Sequence, residues 1–151
     1  MDAQTAECWM REALAEARRA EAEGEVPVGA VLLINGKIVG RGHNRSIANH
    51  DPTAHAEVLA LRHGAHMMRN YRLPGAVMIV TVEPCVMCAG ALIQARVDEL
   101  IYGAADSKAG AILSHFRLAD TSELNHRIEV THGVLADECG ALLRVFFESR
   151  R

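Results

Sequence analysis

The stretch Ala76-Val77-Met78-Ile79-Val80-Thr81-Val82-Glu83-Pro84-Cys85-Val86-Met87-Cys88 decides the fold. Its first seven residues are an unbroken apolar and β-branched run, the pattern of a strand buried on both faces. Pro84 then opens a helix, because proline is favoured in a first helical turn; the helix runs to about Ala95. Upstream, residues 5–23 set Trp9, Leu14 and many alanines at helical spacing, with Glu and Arg between them and Gly24 as the stop. Val28 to Ile34 reads as a strand, and Asn35-Gly36 is the strongest short hairpin signal. Lys37 to Gly40 therefore returns as an antiparallel neighbour. Asp51-Pro52-Thr53 opens a second helix, running to about His63. Downstream, Glu99 to Tyr102 is a fourth strand and Ile128 to Thr131 a fifth. Residues 103–125 between them are Gly- and Ala-rich, a loop with room for one short helix. Val134 to about Arg150 is a last helix, its apolar face formed by Leu135, Cys139, Leu142, Leu143 and Phe146. Helices alternating with strands predict an α/β domain, with helices on both faces of a central sheet.

The 151 residues show no linker, repeat or low-complexity tract, so one domain spanning 1–151 is expected. A chain this long buries roughly 70% of its unfolded surface and needs no staples. Half the residues are apolar and 23% are charged, which excludes a disordered chain. No apolar run approaches the ~20 residues of a membrane helix. The first 25 residues are amphipathic and lack the apolar core of a signal peptide, so a cytoplasmic protein is expected.

The net charge of −3 gives no global attraction to nucleic acid. The cations are lopsided, however: 14 Arg against Lys37 and Lys108. Arginine suits planar, bidentate recognition of phosphate and stacks on bases, so a local basic patch stays open. The four cysteines are too few, in too long a chain, for a small disulfide scaffold. A close cysteine pair in a cytosolic protein is more often a metal or redox site.

Chemistry concentrates in two short segments, His55-Ala56-Glu57 and Pro84-Cys85-Val86-Met87-Cys88. Cysteines three apart at a helix start put both sulfurs on one side. The helix N-terminus favours their thiolates. Two thiolates and an imidazole, His55, are good zinc ligands, and three protein ligands leave a fourth position open for water. Bound zinc lowers the pKa of that water to about 7. Glu57 is not a ligand in this reading; it moves the water's proton to the substrate. On a helical wheel His55 and Glu57 do not face each other, so they meet only at a site lying beside the helix. Alone, Cys-x-x-Cys fits a redox pair or half a zinc knuckle as well, and His-x-Glu means little. Their joint order is that of the zinc-dependent nucleobase deaminases. Cys8 and Cys139 are expected on buried apolar helix faces. His43, His63, His66, His115 and His132 are expected as surface or packing residues.

At these motifs the chain resembles the bacterial tRNA-specific adenosine deaminases, within the cytidine deaminase-like superfamily. The matching stretches are Glu25-Val-Pro-Val-Gly-Ala-Val31, His50-Asp-Pro-Thr-Ala-His-Ala-Glu57, Asn70-Tyr-Arg-Leu73, Glu83-Pro-Cys-Val-Met-Cys-Ala-Gly90, Leu124-Asn-His-Arg127 and Leu135-Ala-Asp-Glu-Cys139. His-Ala-Glu and Pro-Cys-x-x-Cys mark the superfamily; the other stretches point to the tRNA enzymes. The resemblance implies a three-layer α/β/α fold with a five-stranded mixed sheet, working as a homodimer. It implies one zinc per subunit, held by His55, Cys85 and Cys88. The implied substrate is the adenosine at the wobble position of an arginine tRNA anticodon, converted to inosine. Zinc-activated hydroxide attacks C6 while Glu57 shuttles protons. Asn44 hydrogen-bonds the flipped base and Val28 packs against it. Asp106 and Lys108 lie beside the target nucleotide. Asn125, His126, Arg127, Phe147 and Arg150 match regions that contact the anticodon loop. No membrane and no nucleotide cofactor are implied. Some relatives carry a longer basic tail; here the basic end is Arg144, Arg150 and Arg151, so fewer phosphate contacts are expected. A deaminase of free bases or nucleosides shares the zinc motifs, and a non-catalytic zinc module shares all but the need for Glu57.

Overall fold

The computed structural model describes residues 1–150; Arg151, counted above in the basic end, lies outside the described residues. The chain runs α1 (Ala3–Ala22), β1 (Gly29–Ile34), β2 (Lys37–His43), α2 (Ala56–Met68), β3 (Val77–Val82), α3 (Val86–Gln94), β4 (Glu99–Ala104), β5 (Glu129–Thr131) and α4 (Ala136–Glu148). The five strands form one mixed sheet in the order β2-β1-β3-β4-β5. β1 is antiparallel to both β2 and β3, while β3, β4 and β5 run parallel. Among the described residues, no helix is long and apolar enough to cross a membrane.

Side-chain alternation along the strands separates two cores. Ala30, Leu32, Met78, Val80 and Leu100 face α2 and α3, where Ala60, Leu61, Leu92 and Ile93 cover them. Val31, Leu33, Ile79 and Ile101 face the other way, onto Ala6, Met10, Ala13 and Leu14 of α1 and Cys139 of α4. The apolar run of β3 is thus buried on both sides, in the centre of three layers.

Several boundaries differ from expectation. α2 begins at Ala56, not near Asp51. The Asp51 carboxylate instead closes a turn of its own, accepting from the Thr53 N–H at 2.8 Å and the Thr53 hydroxyl at 2.7 Å. α3 begins at Val86, two residues after Pro84. No helix forms in residues 105–128. Cys8 is exposed, because α1 buries the stripe Ala6, Met10, Ala13, Leu14 and Ala17 and turns Cys8 to the opposite side.

α2 lies unusually close to β2. An added Cβ at Gly40 would sit 2.3 Å from the Ala60 carbonyl oxygen, and one at Gly42 would sit 2.3 Å from that of Ala56. Glycine at alternate positions strips one face of the strand of side chains and lets the helix backbone rest on it.

Candidate active site

His55 and Cys85 occupy the same position in two different helices. His55 is the N-cap of α2 and Cys85 the N-cap of α3, each with extended backbone and neither capping its helix with its side chain. Extended backbone at His55 resolves the helical-wheel difficulty: the imidazole leaves the chain before the helix starts, whereas Glu57 projects from the first turn. Cys88 lies in the first turn of α3, on the same side as Cys85. His55 Nδ1 is 3.7 Å from Cys85 Sγ and 3.5 Å from Cys88 Sγ. A tetrahedral zinc with ordinary Zn–N and Zn–S bonds separates N from S by about 3.6 Å. The donor set and its spacing therefore fit zinc, and these three residues form the candidate metal group.

Without a metal, the two thiols and the imidazole share protons, and binding a metal releases those that remain. A hydrogen bond from Cys88, then one with His55, holds the Cys85 thiol well below the ordinary thiol range. The Cys88 thiol is pushed up, first by keeping the proton shared with Cys85 and then by burial. The hydrogen bond with Cys85 raises the His55 imidazole. Glu57 is 4% exposed. Burial pushes its carboxyl up to about 7, against its own backbone N–H and the His55 imidazole, which pull it down. A carboxyl poised near neutrality suits proton transfer in both directions.

A cleft of about 250 Å³ opens beside this group, lined by residues that include Val26, Val28, Asn44, Val82, Asp106 and Ala109. It lies at the carboxyl ends of β3 and β4, where open α/β sheets generally hold their ligands. The Asn44 side-chain oxygen accepts the Ala56 N–H at 2.8 Å, supplying from the end of β2 a hydrogen bond that His55 does not supply to α2. Its amide nitrogen is left as a donor toward the cleft. Packing anchors the preceding residue: His43 is buried, with Glu16 at 3.2 Å and Glu23 at 3.1 Å on its two ring nitrogens.

The structure brings His55, Glu57, Cys85, Cys88, Val28, Asn44 and Asp106 together. Lys108 lies exposed on the same loop as Asp106 without lining the cleft. Asn125, His126, Arg127, Phe147 and Arg150 lie outside it. His126 Nε2 bonds the Val97 carbonyl at 2.7 Å, while Asn125 and Arg127 are exposed. Phe147 is 48% exposed and packs edge-on against Phe146. Arg150 stacks on Phe146 at 4.1 Å and donates to the Gly24 carbonyl at 3.3 Å, tying the end of α4 to the segment that enters the cleft wall.

Sequence reasoning missed two buried carboxylates that hold the cleft's rims. Glu25, 2% exposed, accepts the Ile47 and Ala48 N–H groups at 3.2 and 2.9 Å, fixing the segment after Asn44. Glu83, 3% exposed, lines the cleft and accepts from the loop that carries Asp106. Burial opposes its ionisation, but the Ser114 hydroxyl and the Leu113, Ser114 and Asp106 N–H groups outweigh it and hold the carboxyl down to about 2. The available signal was a charged residue abutting the most apolar run in the chain.

Residues 3–104 match the cytidine and deoxycytidylate deaminase zinc-binding region. The chain is 53% identical over 143 residues to a tRNA-specific adenosine deaminase of Haemophilus influenzae, covering 94% of this chain and 83% of that one. It is 44% identical to the Bacillus subtilis protein of the same description, over 96% and 90% of the two chains. Among solved structures, it is similar to a tRNA:A34 deaminase that edits adenosine to inosine at the wobble position. That pair has a TM-score of 0.87 at 41% identity, over 89% of this chain and 98% of the other. It is also similar to guanine deaminase from Nitrosomonas europaea, with a TM-score of 0.76 at 29% identity over 93% and 83% of the chains.

Proposed function

Since the chain belongs to the tRNA-specific adenosine deaminases, zinc-dependent hydrolases of the cytidine and deoxycytidylate deaminase family, we propose that it converts adenosine to inosine at the wobble position of a tRNA anticodon, with arginine tRNA as substrate. The observation that carries the reading is the placement of Glu57, Asn44 and the His55–Cys85–Cys88 group around one cleft. Zinc, when bound, supplies the Lewis acidity that makes a water nucleophilic at neutral pH.

The remaining chemistry belongs to the chain. Glu57 takes a proton from the attacking water as its oxygen bonds to C6, and delivers that proton to N1. It then carries the second proton from the new hydroxyl to the exocyclic amine, so that ammonia leaves and a C6 carbonyl remains. Asn44 donates its amide N–H to an acceptor nitrogen of the base, and Val28 packs against the ring. Asp106 and Lys108 flank the target nucleotide. Asn125, His126, Arg127, Phe147 and Arg150 meet the rest of the anticodon loop, where an exposed ring such as Phe147 offers a stacking surface. A loop adenosine is already unpaired, so extruding it costs less than opening a duplex.

In this reading residues 1–151 act as one deaminase domain in the cytoplasm, as a homodimer. The dimer is supported by an apolar groove of about 440 Å³ between α2 and α3, lined by Val58, Leu61, Ala65, Leu73 and Ala91, with Tyr71 75% exposed at its edge. On α3, Val86 is 51% exposed and Gly90 has nothing within 4 Å of its Cβ position. Sedimentation at working concentration checks it; a monomer there refutes it.

The zinc-loaded protein is incubated with an anticodon-arm RNA of arginine tRNA, and the digested nucleosides are weighed by mass spectrometry. Inosine at the wobble position, lost in Glu57→Ala with zinc retained, is the expected result. Turnover of free guanine or adenosine without any inosine in the RNA refutes the reading.

A further inference from the structure

We infer that Glu83 is a positioning residue that builds the substrate-facing loop, and that its charge sets how well the enzyme holds its nucleotide. The inference rests on the proposed RNA reading for its choice of substrate. Three carboxylates, Glu57, Glu83 and Asp106, line the cleft, and the two buried glutamates differ in what their oxygens do. Glu83 Oε2 accepts three consecutive N–H groups, those of Ile112, Leu113 and Ser114, at 3.0, 2.9 and 3.0 Å. Oε1 accepts the Asp106 N–H at 3.1 Å and the Ser114 hydroxyl at 2.6 Å. A carboxylate offers about four lone-pair sites, so five donors leave none for substrate, water or metal. Glu83 is therefore excluded as a proton carrier even though it stands in the cleft. Its work is done on the loop.

Besides Glu83, that loop is held by the Ala111 N–H on the Pro84 carbonyl at 2.9 Å and by Ala111 and Ile112 buried in the core. Residues 105–115 contain neither helix nor strand. Three successive N–H groups turned onto one anion form a concave nest, and the anion is what makes the turn favourable. Contact around the anion is tight enough to dictate sequence. A Cβ at Gly110 would fall 2.4 Å from the Glu83 carboxyl carbon and 2.6 Å from the Asp106 carbonyl oxygen. Asp106 in turn accepts the Lys108 and Ala109 N–H groups at 3.0 Å each. The order of construction is Glu83, then Asp106, then the segment that presents Lys108 and Ala109. Glutamine in place of Glu83 keeps the size but halves the acceptor oxygens and removes the charge, and its amide nitrogen, set in the Oε1 place, opposes the Asp106 N–H.

The test compares Glu83→Gln and Gly110→Ala with Leu100→Ala. Gly110→Ala leaves the carboxylate chemically intact but has no room for its methyl. Leu100 is fully buried in the sheet, makes none of the Glu83 or Asp106 hydrogen bonds, and serves as a control for loss of stability alone. KM and kcat are measured on the anticodon-arm RNA, zinc content is determined, and amide exchange is followed at Asp106, Ile112, Leu113 and Ser114. Both loop variants are expected to keep one zinc, to raise KM at least tenfold with kcat within about threefold, and to lose protection at those four amides while β3 and β4 keep theirs. Leu100→Ala is expected to leave KM unchanged. KM within twofold of the parent in Glu83→Gln, retained protection at residues 112–114, or an equal rise in Leu100→Ala each overturns the inference. Should the parent enzyme act only on a free base, the proposed substrate falls, and the same KM comparison made on that base decides the inference separately.

Discussion

Replacing Gly42 with alanine tests how the metal group is held. The added methyl would lie 2.3 Å from the Ala56 carbonyl oxygen, 2.7 Å from the Ala60 nitrogen and 3.0 Å from the Leu59 Cβ. The first two obstacles are backbone, so no rotamer relieves them, and the first turn of α2 must retreat by about 1 Å. Ala56 sits between His55 and Glu57, so both move with it. The 3.5 and 3.7 Å separations between His55 Nδ1 and the two sulfurs then stretch beyond a tetrahedral fit, since metal bonds tolerate only about 0.2 Å. A 1 Å misplacement at a reacting centre costs about a hundredfold in rate, and overpacking of this kind costs about 1–3 kcal/mol of stability. The assay measures zinc content, urea midpoint and kcat/KM on the anticodon-arm RNA, with Gly36→Ala as the comparison. Gly36 also resists substitution, with φ +71°, but has nothing within 4 Å and sits in the hairpin away from the cleft. Gly42→Ala should lose zinc or at least fiftyfold in kcat/KM, while Gly36→Ala loses stability only. Full zinc occupancy with activity within threefold of the parent would refute the claim that the β2–α2 contact sets the ligand geometry.

Three further outcomes follow from the same geometry. Asn44→Asp should keep the bond to the Ala56 N–H and the fold, yet lose base binding, because its amide donor becomes an acceptor; Asn44→Ala should lose both, with about 1 kcal/mol of stability. Equal activity of Asn44→Asp and the parent removes the amide from base recognition. Leu100→Ala should cost about 2–5 kcal/mol in denaturant melts, as a buried leucine truncated in a packed core; a change below 0.5 kcal/mol would mean that the layer packs loosely. Burial pushes the Cys139 thiol up to about 12, so alkylation at pH 8 should label exposed Cys8 and spare Cys139 until the chain unfolds. Chelation should add Cys85 to the labelled set by peptide mapping, and native labelling of Cys139 at the rate of Cys8 contradicts its burial.

Local signals carried much of the fold. The apolar run of β3, the Asn35-Gly36 turn and the stop at Gly24 are interactions among neighbours, and each element they mark exists within a few residues of the expected place. The errors arise where the deciding partner is distant. Asp51-Pro52-Thr53 looks like a helix start, but α2 is completed by Asn44, twelve residues before Ala56 and on another element. Residues 105–115 show no periodicity because their organiser, Glu83, precedes them by more than twenty residues. The metal group was legible because its chemistry demands particular residue types at fixed spacing. The two rim-holding carboxylates were not, because a glutamate that accepts backbone N–H groups leaves no pattern beyond its own presence. Cys8 was misplaced because an alanine-rich helix offers two plausible apolar faces, and only packing selects one.

The two N-cap positions that hold the metal group set fold and catalysis against each other. Side chains that cap helices well are Ser, Thr, Asp and Asn, worth about 1 kcal/mol at each site. His55 and Cys85 are poor caps kept in capping places. In protein without metal, His55→Asp and Cys85→Ser should each raise the melting temperature while abolishing the site. A library screened on thermal survival alone would therefore drift toward inactive chains at these two positions, and the presence of His55 and Cys85 records selection for turnover over robustness.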